Sequence, residues 1–403
     1  MITKSLCALA AFALAASASA ADAVKFKKLK LTDQFLCEGA HFGDFNKDGK
    51  TDVVAGWQWF DGPDFKRAHE FNAPPAQPYN PQKSYSDYFL TYVYDFNGDK
   101  WDDILVFSWP GKEAAWYENP QKRGGHWFKH ALLAEADNES PQLGDMNGDG
   151  KPELICHTGG RFGFAEIDWK NPARPAKFWA ISPEDKKAIF RYTHGYGYGD
   201  LNGDGKPDIL EKNGWWEQPA DYRTGGQWKF HKVPFVQTPE AMRGGAQMLV
   251  TDVNGDGRND VITSWDAHGY GLAWYEQTRT GGGIGFKEHV LVNTKPEDNK
   301  HGVKFTQIHG LTLADINGDG LMDFVTGKRF WAHGPGKDAE PAAPAVLYWF
   351  ELKRGPDKTA EFIPHLVDDD SGVGTQITVG DLNRNGRPDI ISGNKKGLSL
   401  FLQ

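Results

Sequence analysis

Apolar and polar residues alternate with a period of two in short stretches along most of this chain, and these stretches flank loops rich in Asp, Asn and Gly. The clearest case is YGYGDLNGDGKPDILEK, in which one alternating segment precedes the loop at 200–208 and another follows it. Alternation with period two predicts β-strands that have one buried face. Each loop is therefore predicted to join two adjacent strands.

The loop is one copy of a repeat. Most copies are followed by a strand marked by Trp, such as GLAWYEQ, and then by a fourth apolar stretch, such as GFKEHVLV. Four strands at a spacing of about 50 to 66 residues are typical of β-propeller blades. The seven nine-residue windows, here called loops 1 to 7, begin at Asp44, Asp95, Asp145, Asp200, Asp252, Asp315 and Asp381.

The two ends of the chain predict how the repeats close. The C-terminal GLSLFLQ, from Gly397, aligns with the third strand GLAWYEQ from Gly271, so the last repeat lacks a fourth strand. The N-terminal FKKLKL, from Phe26, resembles the fourth strand FKEHVL from Phe286. We therefore predict an all-β fold, a single seven-bladed β-propeller over residues 21–403 whose N-terminal strand completes the last blade and leaves no open edge.

Residues 1–20, MITKSLCALAAFALAASASA, have the pattern of a secretory signal peptide: a lysine, a short apolar run and a small-residue end. The mature protein is predicted to be exported, to a periplasmic or extracellular location. No later segment has the roughly 20 apolar residues that a transmembrane helix needs. Cys37 and Cys156 lack the spacing of a zinc site or a disulfide framework.

Much of the acidic charge of the chain lies in the loops. The formal net charge is -9, but 20 of the 54 acidic residues stand at positions 1, 5 and 9 of the seven loops. Bound cations would neutralise much of that charge, so no nucleic-acid partner is indicated. The oligomeric state is left open.

The loops predict several structural calcium ions. Positions 1, 3, 5 and 9 offer side-chain oxygens and position 7 a carbonyl, the oxygen-rich shell that Ca²⁺ prefers. Gly at position 6 permits a positive φ, but loop 2 has Lys100 there and loop 7 has Asn385 at position 5, so these two sites are predicted to be weaker. The predicted ligands are Asp44, Asn46, Asp48, Asp52, Asp95, Asn97, Asp99, Asp103, Asp145, Asn147, Asp149, Glu153, Asp200, Asn202, Asp204, Asp208, Asp252, Asn254, Asp256, Asp260, Asp315, Asn317, Asp319, Asp323, Asp381, Asn383, Asn385 and Asp389.

A repeat separates scaffold from site, because residues that recur at one blade position are most simply structural. The third-strand tryptophans are predicted to pack between blades, with Trp215 or Trp216 lining a sugar site as the alternative. Five histidines on the fourth-strand register are predicted to be hydrogen-bonded to neighbours: His69, His130, His231, His289 and His365.

Residues that break the repeat indicate a site on the face opposite the loops. The positions six residues before each loop should ring the propeller axis there: Glu38, Phe89, Glu139, His194, Ala246, His309 and Thr375. Imidazole and carboxylate together suit zinc or a similar divalent ion, or acid–base chemistry without a metal, while the alternative is the polar lining of a water-filled channel. We assign His194 and His309 to a metal, with Glu139 as third ligand.

Further candidates lie at the ends of the second strands, on the same face. Two polar, proline-rich insertions, NTKPEDNKHGVKF and AHGPGKDAEPAAPAV, are predicted to wall a pocket beside the axis. The candidate catalytic residues are His268, His333, Tyr196, Lys328 and Arg329. The candidate substrate-binding residues are Glu38, His157, Lys212, Trp215 and Trp331.

The seven windows and their flanks resemble the FG-GAP and VCBS repeats of calcium-loop propellers. The strings QIHGLTLADINGDGLMDFVTGKRFWAHGPG, APAVLYWFEL and HGYGYGDLNGDGKPDILEKNGWWEQP are similar to the propeller domain of fungal aldos-2-ulose dehydratase and its bacterial relatives. That resemblance implies a carbohydrate lyase that eliminates water from oxidised sugars, with zinc in the propeller cleft. The cupin domains of the fungal enzyme have no counterpart here, so the resemblance does not extend to a later isomerisation.

Two functions of different classes follow. The favoured hypothesis is a carbon–oxygen lyase that performs metal-assisted β-elimination on a keto sugar or keto-glycoside, because titratable residues concentrate on one face. The alternative is a calcium-stabilised propeller that binds a glycan or a protein without chemistry. A glycoside hydrolase that uses two carboxylates across the axis is a third possibility.

Overall fold

The computed structural model describes residues 24–235, 244–245 and 247–403. The predicted signal peptide, at 1–20, and the ring position Ala246 lie outside the described residues. The described chain is all-β: it contains 27 strands and four short 3-10 turns, at Gln121–Arg123, Tyr222–Thr224, Pro296–Asp298 and Pro356–Lys358.

The strands form seven antiparallel units of four, as the repeat predicts. Five sheets contain them, because β9 serves as the last strand of one unit and the first of the next, and because β13 pairs in parallel with β17. The strands are β1 (Lys27–Thr32), β2 (His41–Gly43), β3 (Asp52–Ala55), β4 (Gln58–Phe60), β5 (Ala68–Glu70), β6 (Leu90–Tyr94), β7 (Asp103–Phe107), β8 (Lys112–Glu118), β9 (Phe128–Gly144), β10 (Glu153–Thr158), β11 (Arg161–Glu166), β12 (Lys177–Ala180), β13 (Tyr196–Gly199), β14 (Asp208–Glu211), β15 (Gly214–Glu217), β16 (Lys229–Lys232), β17 (Gln247–Thr251), β18 (Asp260–Ser264), β19 (Leu272–Thr280), β20 (Gly283–Val292), β21 (Leu311–Ala314), β22 (Asp323–Gly327), β23 (Leu347–Arg354), β24 (Ala360–Asp368), β25 (Ile377–Gly380), β26 (Asp389–Asn394) and β27 (Gly397–Leu402).

Every loop closes its hairpin in the same register. The residue before the first loop Asp pairs with the acid at position 9, as Gly199 pairs with Asp208 in loop 4. That acid also joins the loop to the third strand: Asp208 accepts hydrogen bonds from the amides of Leu201, at 3.0 Å, and Gln218, at 2.9 Å. Position 9 is therefore a structural acceptor, in addition to its predicted role as a calcium ligand.

The outer strands confirm the packing role of the recurring histidines. In five units the third-strand Trp stacks on the fourth-strand His with ring centroids 3.9–4.3 Å apart. Four of these imidazoles also lie 2.6–3.0 Å from a Glu of the third strand, and His69 lies 2.9 Å from Asp61. In these five units the stack covers one face of the indole and the acid pairs the imidazole, as expected for structural residues.

The N-terminal strand pairs with the C-terminal strand, as predicted. β1 is antiparallel to β27, with Lys27 opposite Leu402, so β1 is the fourth strand of the seventh unit. Leu29 and Leu31 of this strand pack against a hydrophobic cluster that includes residues of the first unit. The first and last parts of the chain are thus held in one sheet.

The innermost strands contact one another from unit to unit. Between the seventh and first units, the Thr378 hydroxyl donates to the Ala40 carbonyl at 2.6 Å. The other junctions are marked by the bonds Glu38 N to Phe89 O, Tyr92 OH to Pro141 O, Gln142 Nε2 to Tyr196 O, Leu311 N to Gln247 Oε1 and Val373 N to Lys328 O, and by the parallel β13–β17 pair.

Candidate metal and ligand-binding site

The site is built where first strands begin and second strands end, away from the loops. Glu38, Glu139, His194 and His309 occupy equivalent positions in four units, and Arg329 follows the second strand β22. All five side chains are buried. The prediction that these equivalent positions of different units converge is therefore confirmed for the residues named here.

Three histidines form the centre of the site. One ring nitrogen each of His194, His268 and His309 lies within 4.8 Å of a nitrogen of the other two. The ring centroids are 4.8 Å apart for His194 and His268, 5.1 Å for His268 and His309, and 5.5 Å for His194 and His309. His268, predicted as an acid or base, thus joins the two predicted metal ligands.

A hydrogen bond outside the cluster orients the His309 ring, and a carboxylate lies near the His268 ring. His309 Nδ1 lies 3.2 Å from the Gln307 carbonyl, which can only accept, so Nδ1 carries the proton and Nε2 the lone pair. His268 Nδ1 lies 3.3 Å from a carboxylate oxygen of Asp338. The Nε2 atoms of His194 and His309 are buried and have no hydrogen-bond partner. Oriented imidazoles with free lone pairs are characteristic of metal ligands.

Burial favours the neutral, metal-binding form of two of these imidazoles, those of His309 and His268. The pKa of His309 lies well below its ordinary value, first because the ring is desolvated and second because Arg329 is near. Burial also lowers the pKa of His268, although Asp338 opposes this shift. Neutral rings need lose no proton to accept a metal ion at pH 7.

Glu139, the predicted third ligand, is instead held by a cation. Its Oε2 lies 2.6 Å from Arg329 Nη1 and 3.8 Å from Nε2 of both His194 and His309. Burial opposes ionisation of Glu139, but Arg329 and the two histidines outweigh it and hold its pKa well below the usual range. Arg329 Nε also lies 3.3 Å from Glu38. His268 therefore replaces Glu139 in the histidine cluster, and Glu139 is an ionised neighbour.

The cluster opens into a cavity of about 500 Å³. Tyr85 stacks on Trp109 with centroids 3.9 Å apart, and the Trp109 indole N–H lies 3.3 Å from the Tyr192 hydroxyl. Phe190 adds an exposed ring, and Lys212 lines the cavity as predicted. Aromatic faces with a few polar groups suit a sugar ring, which has both apolar C–H surfaces and hydroxyls.

A fourth histidine, His333, lines the cavity and is partly exposed to solvent. His333 stacks on His268, with centroids 4.5 Å apart, and its Nδ1 lies 2.8 Å from Asp338. Its side chain is 46% exposed, so it can meet a ligand. His333 and Asp338 belong to the proline-rich insertion between β22 and β23, and His333 lines the cavity, which confirms that this insertion walls the pocket. The other insertion, at 293–305, contacts it, since Lys304 Nζ lies 2.5 Å from the Glu340 carboxylate, but its residues do not line the cavity.

Three candidate polar residues lie outside the cavity. The Tyr196 hydroxyl is buried between two strands, where it donates to the Gly163 carbonyl at 2.8 Å. Lys328 is buried and donates to the Thr306 hydroxyl at 2.7 Å and the Glu340 carbonyl at 2.8 Å. His157 is fully buried against Phe162 and Tyr196. The structure therefore places these three candidates away from the cavity, where they contact other parts of the chain.

The remaining substrate-binding candidates also make their contacts outside the cavity. Trp215 is buried and stacks on His231, so it has the packing role predicted for the third-strand tryptophans and not the alternative role in a sugar site. Trp331 donates to the Pro341 carbonyl at 3.0 Å and does not line the cavity. Glu38, a substrate-binding candidate, and Arg329, a catalytic candidate, are buried and paired with each other, and neither lines the cavity.

Sequence reasoning missed Asp338 and the aromatic wall of Tyr85, Trp109, Phe190 and Tyr192. All five lie in connections between strands, for which the repeat gives no register. The usable signal was an aromatic residue just before an inner strand, as in FRYTHGYGYG. Such residues end on the same face as the ring positions.

The loops have the oxygen donors that calcium would need. In loop 4, Asp200 and Asn202 turn carboxylate and amide oxygens toward the loop amides, with Gly203 N 2.7 Å from Asp200. Gly205, at position 6, has a φ of 85° and Lys100, its counterpart in loop 2, has 70°. Among the described residues, the groups of three His, Cys, Asp or Glu ligand atoms within 4.8 Å of one another are His194–His268–His309 and His268–His333–Asp338.

Comparisons with known proteins support the fold. A family model described as FG-GAP-like repeat matches residues 95–156 and 252–326. A lectin of Agrocybe aegerita that specifically recognises non-reducing terminal N-acetylglucosamine matches with a TM-score of 0.52 and 14% identity, over 92% of this chain and 86% of the lectin. The biofilm matrix protein Bap1 of V. cholerae matches with a TM-score of 0.32 and 16% identity, over 72% of this chain and 41% of that one. No curated protein matched by sequence. The chain therefore carries FG-GAP-like repeats in a propeller fold.

None of the helices in the described part of the chain is suited to span a membrane.

Proposed function

We propose that the seven units close into a seven-bladed FG-GAP propeller around a central axis. The contacts between successive inner strands, including those between the last and first units, support this arrangement. A cavity of about 230 Å³ is lined by inner strands of six units, from His41 of the first to Val379 of the last. Pairing of β1 with β27 would remove the open edge of the last blade.

We propose that the histidine face is the active site of an exported carbohydrate lyase that acts on a keto sugar or keto-glycoside. The observation that carries the proposal is the cluster of His194, His268 and His309, of which His194 and His268 line a sugar-sized aromatic cavity. The three histidines would hold a zinc ion or a similar divalent metal. When bound, such a metal would stabilise negative charge on the carbonyl oxygen of the substrate.

The residues of the chain would supply the remaining steps. The aromatic wall would bind one face of the sugar ring and exclude water from it. His333, held through Nδ1 by Asp338, keeps Nε2 as the base that removes the proton next to the carbonyl. A carbon–carbon double bond forms as the hydroxyl or alkoxide on the following carbon departs, and Lys212 would donate the proton that this group takes. The products are an unsaturated ketone and water or an alcohol.

The alternative function is recognition of a glycan without chemistry. The observation that favours it is the aromatic wall itself, since four rings and one lysine can bind a sugar whether or not a metal is present. Resemblance to aldos-2-ulose dehydratase favours the lyase, and this choice is open to a direct test. Calcium in the loops and export by the predicted signal peptide are part of both proposals.

The test is metal analysis and turnover of the protein that begins at residue 21. The wild type and a triple variant, His194→Ala, His268→Ala and His309→Ala, are exchanged into calcium buffer and assayed for divalent transition metal. The lyase proposal expects about one such ion per chain, absent from the variant, and conversion of keto sugars to products with enone absorption. The control is His157→Ala, a buried histidine outside the cavity.

The outcomes separate the two functions. A metal-free protein that binds sugars equally well with and without the three histidines would establish the binding module. Metal bound in the wild type but no elimination from any keto sugar would contradict the lyase and keep the metal site. Loss of both metal and turnover in the triple variant alone is the expected result.

A further inference from the structure

A second cavity, of about 510 Å³, lies beside loops 1 and 2 and shares no residue with the histidine site. It is lined by Trp59 of the first unit, by Trp101 of loop 2, and by His126 and Trp127 in the connection to β9. Its volume is within the range of small-molecule sites. The function proposed above makes no use of it.

Trp101 departs from the repeat. It stands at position 7 of its loop, where the other six loops have Lys50, Lys151, Lys206, Arg258, Leu321 and Arg387. The preceding residue, Lys100, takes the φ of 70° that Gly adopts in the equivalent loops, a conformation that costs a side chain free energy. The other six loops fold without a tryptophan at position 7. The repeat therefore does not explain Trp101.

The side chain of Trp101 is available for a ligand. It is partly exposed, and among the described residues it has no ring partner and no hydrogen-bond acceptor for its indole N–H. The neighbouring rings are fixed: Trp59 stacks on His69 at 4.1 Å, and Trp127 meets Phe45 edge-on at 5.8 Å. The cavity thus combines the accessible ring of Trp101 with two packed rings, those of Trp59 and Trp127.

The polar lining is neutral or mixed in charge. His126 is 53% exposed at its side chain and lies 3.8 Å from Glu70, so an anion would meet a carboxylate. Asn46 and Lys122 also line the cavity. Aromatic faces for C–H groups, together with indole, imidazole and amide groups for hydroxyls, match a neutral pyranose.

We propose that the cavity lined by Trp59, Trp101 and Trp127 binds a neutral pyranose sugar, independently of the histidine site. Trp101 is the specificity-determining residue, because it supplies the accessible ring. The protein would then hold a glycan on the loop side while the opposite face acts on or binds its own ligand. Weak, millimolar affinity is expected for a single sugar, since one ring contact contributes little.

The test follows the indole N–H resonances of ¹⁵N-labelled protein during titration with methyl β-D-glucopyranoside and methyl N-acetyl-β-D-glucosaminide. Both probes are added up to about 50 mM in calcium buffer, a range that covers millimolar dissociation constants. Trp59→Phe, Trp101→Lys and Trp127→Phe assign the three resonances. Trp101→Lys also restores the residue found in loops 1, 3 and 4, so it should fold, and Trp101→Leu, which matches loop 6, is the second variant.

The expected result is a saturable shift of the assigned resonances with at least one probe, weakened about threefold to tenfold by Trp101→Lys. His126→Gln, the residue at the equivalent position of the fourth unit, should weaken binding less. His194→Ala should leave binding unchanged. No saturable shift with either probe, a shift with unchanged affinity in both Trp101 variants, or one that requires His194 would each overturn the proposal.

Discussion

At the scale of single residues, Arg329 sets the charge around the histidine cluster. It is 1% exposed and lies between two buried carboxylates, Glu38 and Glu139. Burial works against its positive charge, but the two carboxylates outweigh it and raise its pKa. The arginine therefore keeps Glu139 ionised beside His194 and His309 without contacting the cavity itself.

Replacement of Arg329 by Met is expected to destabilise the protein by about 3–5 kcal/mol, because it leaves two buried carboxylates without a cation. The free energy of unfolding is measured by denaturant titration. The triple variant that also carries Glu38→Gln and Glu139→Gln should recover most of the loss. An unfolding midpoint for Arg329→Met equal to the wild type would contradict this role.

Asp338 acts through two imidazoles, since it lies 3.3 Å from His268 Nδ1 and 2.8 Å from His333 Nδ1. If His268 binds a metal, Asp338→Asn should weaken metal affinity about 10- to 100-fold by removing the group that orients the ring. Competition with a chromogenic chelator measures this. Asp64→Asn, at an exposed aspartate, is the control, and equal affinity in both variants would exclude a positioning role for Asp338.

At the scale of elements, the loops show how a repeat tolerates exceptions. Gly at positions 4 and 6 takes positive φ, as do Lys47 and Arg384 at position 4 and Lys100 at position 6 of their loops. The hairpin register is unchanged at these exceptions, because the acid at position 9 still accepts its two amide hydrogen bonds. In loop 2, Asp103 is bonded to Phe96 and Asn119 in the same way as Asp208 in loop 4.

Lys100→Gly is expected to stabilise the protein by about 0.5–1 kcal/mol, because relief of the strained φ exceeds the added freedom of the unfolded chain. Thermal unfolding without calcium measures the effect of strain alone. Gly98→Ala, at a φ of 76° in the same loop, should act in the opposite direction. A lower Tm for Lys100→Gly would show that the lysine side chain stabilises the loop.

At the scale of the whole molecule, β1 joins the beginning of the chain to its end. Without it, β27 would present unpaired backbone groups and Leu398 and Leu400 would lose their cover. Hydrogen bonds across this pair also hold the N-terminal segment that leads to Glu38. The site therefore depends on the pairing of β1 with β27. Lys27 faces Leu402 in this pair, so the two strands are more than 350 residues apart in the sequence.

A protein that begins at residue 34 should be less stable than one that begins at residue 24, and should associate through the exposed edge of β27. Thermal unfolding and light scattering measure the two effects. Addition of a synthetic peptide of residues 24–33 should restore the Tm. Equal stability and a monomeric state for both proteins would show that β1 does not complete the last unit in solution.

Calcium, if bound as proposed, would stabilise the molecule as a whole. A site that binds only the folded chain contributes about 2.7 kcal/mol when calcium is a hundredfold above its dissociation constant. Removal with a calcium-selective chelator should therefore lower the Tm, and readdition of calcium, but not of magnesium at the same concentration, should restore it. A Tm that is indifferent to the chelator would leave the loops as purely hydrogen-bonded turns.

The amino-acid sequence by itself determined the scaffold, because period-two strands and a nine-residue loop recur with small variation. It identified the hairpin register, the structural roles of the recurring Trp and His residues, the β1–β27 pairing and the equivalent positions of His194 and His309. Local physics is enough for these features, since each depends on neighbours within one unit or on a repeat of known phase.

Only the tertiary structure decided which residues meet at the site. It placed His268 rather than Glu139 with the other two histidines, buried Tyr196, Lys328 and His157 away from the cavity, and brought Asp338 and the aromatic wall to it. His268, Asp338 and the aromatic wall come from connections of unequal length, whose paths follow no period. Their meeting point depends on long-range packing between units, which no local pattern encodes.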